Sequence, residues 1–105
     1  MMMHLALAAA ASVAFFTGND LYEGFCGPHG DEATCDMYVA GVFDGARAEE
    51  ELSGRPPLAC LPSTITVDQL GTIFRKRLAD DPEHRTSLGA TLVMEGLAKA
   101  YPCRT

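Results

Sequence analysis

The sequence predicts an all-α protein, a small compact bundle of about four helices stapled by two disulfides. Three observations predict it. Apolar residues recur at spacings of three and four in several segments, and no segment reads convincingly as a strand. Proline, glycine and cysteine punctuate those segments, at Cys26-Gly27-Pro28-His29-Gly30, at Ser53–Ala59 and at Asp80-Asp81-Pro82. Four cysteines, Cys26, Cys35, Cys60 and Cys103, follow an apolar, uncharged start, and an even cysteine count in a small exported chain reads as a disulfide framework.

The start supplies the compartment. Leu5–Ala11 has the length of the apolar region of a secretory signal, and Ser12-Val13-Ala14 offers the small residues that a signal peptidase reads. It is too short to span a bilayer, which needs about 20 apolar residues. Met1–His4 carries no Lys or Arg and so departs from the ordinary basic opening of a signal. The expected division is a signal peptide over 1–14 and a single helical domain over 15–105. A periplasmic protein with no membrane association after signal removal is the corresponding expectation.

Composition narrows the function classes. The chain is 48% hydrophobic and 21% charged, which suits a globular domain rather than a disordered one. Its formal net charge of −6 argues against nucleic-acid binding, which needs a basic surface, and favours a basic partner. The cysteines lack the close C-x₂₋₄-C pairing of a structural zinc site, and His4, His29 and His84 are scattered. No metal and no cofactor are expected.

The elements follow in order. A first helix is predicted from Asn19 to Phe25, capped by Thr17 or Asn19, with Leu21, Tyr22 and Phe25 on one side. A second is predicted from Asp31 or Glu32 to about Glu50, with a stripe of Cys35, Val39, Val42, Phe43 and Ala46. Gly41 and Gly45 lie four apart on an adjoining face. Helix glycines cost about 1 kcal/mol each against alanine, so another helix is expected to pass close there. Glu49-Glu50-Glu51 sits badly at a helix C-terminus, which predicts fraying.

Pro56 and Pro57 make Ser53–Ala59 a loop. Thr66-Val67-Asp68-Gln69 is a capping box that opens the third helix, whose stripe is Val67, Leu70, Ile73, Phe74 and Leu78 and whose basic band is Arg75, Lys76 and Arg77. The fourth helix is predicted to begin between Pro82 and Ser87, with Leu88, Leu92, Val93, Leu97 and Tyr101 facing inward. Three disulfide connectivities are open to four cysteines. The layout favours Cys26–Cys35 across a tight reversal and Cys60–Cys103 across an antiparallel third and fourth helix. By loop-closure entropy alone the second bridge is expected to contribute more stability.

No catalytic constellation emerges, so the chain is not expected to be an enzyme. His29 and Asp31 share a turn between cysteines, His84 follows Asp81-Pro82-Glu83 among solvated charges, and Asp44 beside the apolar stripe reads as a solvated or locally bonded carboxylate.

Thr17-Gly18-Asn19-Asp20-Leu21, Cys26, Cys35, Tyr38-x-x-Gly41-x-x-Asp44, Cys60-Leu61-Pro62, Thr66-x-x-Gln69-Leu70 and Tyr101-Pro102-Cys103 occur in this order. The set resembles the Rap/Tai family, immunity proteins of bacterial type VI secretion systems. The resemblance covers about Phe16 to Cys103. It implies a small, helical, periplasmic protein, usually a homodimer, that binds a peptidoglycan-cleaving cell-wall amidase effector and blocks its active-site cleft. Tyr38, Gly41, Asp44, Leu61, Pro62 and Pro102 match as scaffold positions and carry fold rather than partner contacts.

An inhibitor needs a rigid surface, since ordering on binding weakens affinity. The candidate contact surfaces are the acidic run Glu49, Glu50 and Glu51, the proline loop with Arg55 and Leu58, and the turn beginning Asp80-Asp81. A small helical periplasmic stress chaperone or an envelope accessory protein would share the export and helical features.

Overall fold

The structure, a computed structural model, describes residues 15–104. The predicted signal segment, 1–14, lies outside the described residues. Four helices form: α1 (Gly18–Glu23), α2 (Glu32–Ser53), α3 (Val67–Asp80) and α4 (Gly89–Ala100), with a 3₁₀ turn at Pro82–His84. There is no strand among the described residues, only an isolated bridge between Thr17 and Leu88. No described helix is long and apolar enough to cross a membrane.

Local chemistry sets the helix starts. Thr17 caps α1 by a reciprocal box: its hydroxyl accepts from Asp20 N at 3.2 Å, and the Asp20 carboxylate accepts from Thr17 N at 2.9 Å. Asp31 caps α2 by accepting from Thr34 N at 3.2 Å. Thr66 and Gln69 form the capping box of α3 as its sequence predicts. Such caps contribute about 1 kcal/mol each.

Three boundaries differ from the sequence expectation. α1 ends at Glu23 rather than Phe25, because Gly24 leaves helical geometry at φ −105° and ψ −130°. α2 runs to Ser53 instead of fraying at the glutamates. Gly54, at φ 75°, supplies the left-handed residue that closes it, and Gly54 N and Arg55 N both donate to Glu50 O. α4 begins only at Gly89, since the chain between Pro82 and Leu88 is committed to the 3₁₀ turn and to pairing with the N-terminal segment. Leu88 is therefore exposed and Tyr101 only half-buried, outside the inner face predicted for them.

The core is made by Leu21 of α1, Cys35 and Val39 of α2, Leu70, Phe74 and Leu78 of α3, and Leu92, Val93 and Leu97 of α4, with Cys26 and Ala59. Beside it Phe16 meets Phe25 and Tyr38 edge-on, and Tyr38 lies tilted over Phe74. α2 packs chiefly on α3, while α4 contacts both. Both favoured disulfides are present, Cys26–Cys35 and Cys60–Cys103.

The close helix approach exists, but not at Gly41 and Gly45. Both are exposed, and a Cβ at either would meet nothing within 4 Å. The crossing is at Gly71 of α3, where a Cβ would collide with the carboxylate of Asp36 on α2. That carboxylate is buried and accepts from Arg75 Nη1 at 2.8 Å. Within the basic band of α3, Arg75 is thus part of the α2–α3 contact.

Candidate functional site

Most of the candidate contact residues are arranged around the segment that follows α2. Its organiser is Glu50, which sequence reading placed in a solvated acidic run. Only 7% of Glu50 is exposed, between exposed Glu49 and Glu51. Its backbone carbonyl takes the two N–H groups that close the helix, at 2.9 Å from Gly54 and 3.1 Å from Arg55. Its carboxylate takes Leu58 N at 2.9 Å and Arg47 Nη1 at 3.1 Å. A single residue therefore fixes both ends of the loop. A buried carboxylate is tolerable because it is bonded on both sides.

Further contacts hold the loop. Arg55 pairs with Glu49. Pro56 and Pro57 restrict the backbone, and Ala59 is buried in the core. Cys60 N donates to Tyr101 O at 2.9 Å, and Cys103 Sγ lies 3.4 Å from Pro57 O, so the Cys60–Cys103 bridge straps the loop to the end of α4. Leu58 is left at the crest with 56% of its surface exposed. The result is an apolar side chain on a pre-ordered backbone.

Two hollows flank that crest. One, of about 400 Å³, lies between the loop, Ala46, Glu49 and Glu50 of α2, and Met94 of α4. The other, of about 370 Å³, is lined by Leu58, Arg77, Glu95, Ala98 and Lys99. Arg77 and Lys99 also wall a third, of about 440 Å³, between α3 and α4, which reaches Asp80 and Asp81. The hollows thus share walls in sequence, Leu58 first and then Arg77 with Lys99. They make a series of three adjoining hollows from the proline loop to the α3 turn, together called the trough. Glu49, Glu50, Arg55, Leu58, Asp80 and Asp81 all line it, whereas Glu51 does not.

Sequence reading missed Met94, Ala98, Lys99 and Gly96 on α4, and it placed Arg77 only in a basic band. Each comes from an element distant in sequence from the loop, so no local pattern joins them. Arg77 is held across α4: a Cβ at Gly96 would stand 3.0 Å from its Cδ, and its Nη2 donates to Glu95 at 2.9 Å. Its Nε is buried without a hydrogen-bond partner.

At the far end of the trough, Asp80 pairs with Lys76 at 2.6 Å, and this hydrogen bond holds the exposed Lys76 ammonium above its ordinary pKa. Asp81 follows α3, with its backbone N–H donating to Arg77 O. The Asp81 carboxylate meets His84 Nδ1 at 2.8 Å; that hydrogen bond is the first cause lowering the Asp81 pKa and raising that of His84. With Glu83, Asp81 and His84 place carboxylate and imidazole atoms within 4.8 Å of one another, the grouping that the sequence reading took as solvated charges.

The scaffold positions are dispersed. Tyr38 is half-buried in the aromatic group and its phenol pKa is raised by that burial, while Gly41 and Asp44 face outward on α2. Leu61 packs against the core, and Pro62 and Pro102 are exposed beside the strap. All four cysteines are in disulfides, leaving no free thiol as a nucleophile. No curated protein and no solved structure matches the chain. The family model of the Rap1a immunity proteins matches residues 17–103, nearly the whole of the helical bundle just described, and the chain belongs to that family.

Proposed function

We propose that this protein binds a secreted toxic effector stoichiometrically and blocks it, with no turnover of its own. The effector in this reading is a peptidoglycan-cleaving amidase delivered by a type VI secretion system. The protein acts as a homodimer in the periplasm after loss of residues 1–14. Membership of the immunity family supports effector binding. Two disulfides are in keeping with an oxidising compartment.

The observation that carries the reading is the loop after α2. An exposed apolar crest, Leu58, is held by a buried carboxylate, two prolines and a disulfide strap before any partner arrives. Such pre-organisation reduces the ordering cost of association, which is what an inhibitory wedge requires. The loop is the part that enters the effector's cleft, and the trough beside it receives the cleft's rim.

The test surveys the neighbouring genes for a peptidoglycan amidase and mixes that amidase with the purified chain. Peptidoglycan hydrolysis is expected to fall to background at a near-equimolar ratio. Full amidase activity in the presence of excess chain would rule the role out for that pair. Protection of unrelated proteins from aggregation at acidic pH would then identify a chaperone instead.

A further inference from the structure

Lys99 stands where two hollows of the trough meet, and it is the one cation on the helices without an ion pair to a described residue. Its isolation has a structural cause. Glu95 lies one turn earlier on α4, the usual i, i+4 partner for a lysine. Arg77 of α3 takes that carboxylate instead, at 2.9 Å. It is held there because Gly96 leaves room for its side chain to lie across α4. The small residue, the crossing arginine and the captured glutamate together leave the Lys99 ammonium with no ion pair among the described residues, in the hollow that Leu58 also lines.

We infer that Lys99 is an anion-recognition point on the partner-binding surface. The effector segment that covers the trough carries a carboxylate side chain opposite Lys99 and an apolar side chain against Leu58. The inference rests on the reading of the loop as the effector-binding element and adds the chemistry of what binds. The chain's net charge of −6 favours a basic partner overall, so a local carboxylate on that partner fixes register rather than driving encounter. A partner without that carboxylate would cover Lys99 uncompensated, which penalises wrong partners.

The experiment measures association and dissociation rates of the neighbouring amidase with the wild-type chain and with Leu58→Ala, Lys99→Met and Lys99→Glu, at low and moderate salt. Lys99→Glu is expected to raise Kd about tenfold or more, and Lys99→Met to raise it less while flattening its salt dependence. Leu58→Ala is expected to raise the dissociation rate with its salt dependence intact. If Leu58→Ala weakens binding while both Lys99 variants bind as wild type, the Lys99 assignment is overturned and the loop reading stands. If all three bind as wild type, the loop reading falls and the assignment with it. A lower melting temperature in Lys99→Met with unchanged Kd marks a role at the end of α4 only, and that too overturns the inference.

Discussion

Cys26–Cys35 and Cys60–Cys103 cross-link this chain in opposite surroundings. The first joins residues nine apart and sits inside the core, with Cys26 2% and Cys35 0% exposed. The second joins residues 43 apart at the surface, with Cys60 exposed and Cys103 half-buried. Loop closure alone ranks the long bridge higher, by about 1 kcal/mol. Packing acts the other way, since the sulfurs of the short bridge fill core volume that nothing else occupies. The difference teaches that the two bridges have separate purposes. One belongs to the interior that makes the bundle, and the other restrains the loop that the bundle presents.

Selective reduction tests this separation most directly. A small dithiol in native conditions is expected to open Cys60–Cys103 first. Reaching the buried bridge requires opening the fold, at a cost of about 5 kcal/mol or more, so its reduction should be slower by roughly several thousandfold or more. Alkylation followed by peptide mapping would show label at Cys60 and Cys103 with Cys26–Cys35 intact. Early label at Cys26 would break the comparison.

Glu50→Ala sharpens it at the loop end. Removing the carboxylate leaves Leu58 N–H without its partner, and the cost is expected to be about 1–3 kcal/mol in chemical denaturation. Hydrogen exchange at Leu58 should accelerate well beyond that at Phe74 in the core, because the loop is released while the helices stay packed. Glu50→Gln, which can still accept from Leu58 N, should lie between the two. Equal acceleration at both sites would mean that loop and core open as one unit.

The smallest effect comes from the outer face of α2, read against Gly71 of α3, which packs on its inner face. Gly71→Ala is expected to destabilise by about 1–3 kcal/mol, since the new methyl meets the Asp36 carboxylate held by Arg75. Gly41→Ala and Gly45→Ala, on the open face, are each expected to stabilise by up to about 1 kcal/mol. Thermal melts of the three variants would read out the signs. A loss at Gly41 or Gly45 would mean that something covers that face in solution.

These contrasts also mark what the sequence carries in legible form. The caps at Thr17 and Thr66 could be read because their partners lie three residues away. The cysteine pairing could be read because helix order alone places Cys60 near Cys103. The glycines misled, because an i, i+4 pair signals a helix contact only if it faces inward. The inward side of α2 is set instead by Cys35 and Val39. Glu50 misled for a similar reason: its neighbours Glu49 and Glu51 are solvated, and only the turn at Gly54 brings Leu58 N–H back to its carboxylate. The proline loop was visible as a loop. The trough was not, since Arg77, Met94 and Lys99 join Leu58 only once α3 and α4 are in place.

The pairing of the N-terminal segment has a consequence for the order in which this molecule acquires its shape. Gly18 N donates to Ser87 O and Asn19 N to Arg85 O, while Gly89 N donates to Phe16 O. The first residues of the bundle thus find their backbone partners almost at the end of the chain. A polypeptide emerging from a ribosome cannot make this seam until the chain has been released as far as the first residue of α4, Gly89. Its contacts are of long sequence separation and form late, after the entropy of closing about two thirds of the chain has been met. The helices can therefore form one by one along the chain, while the seam that ties the N-terminal segment to the bundle closes only after they are in place.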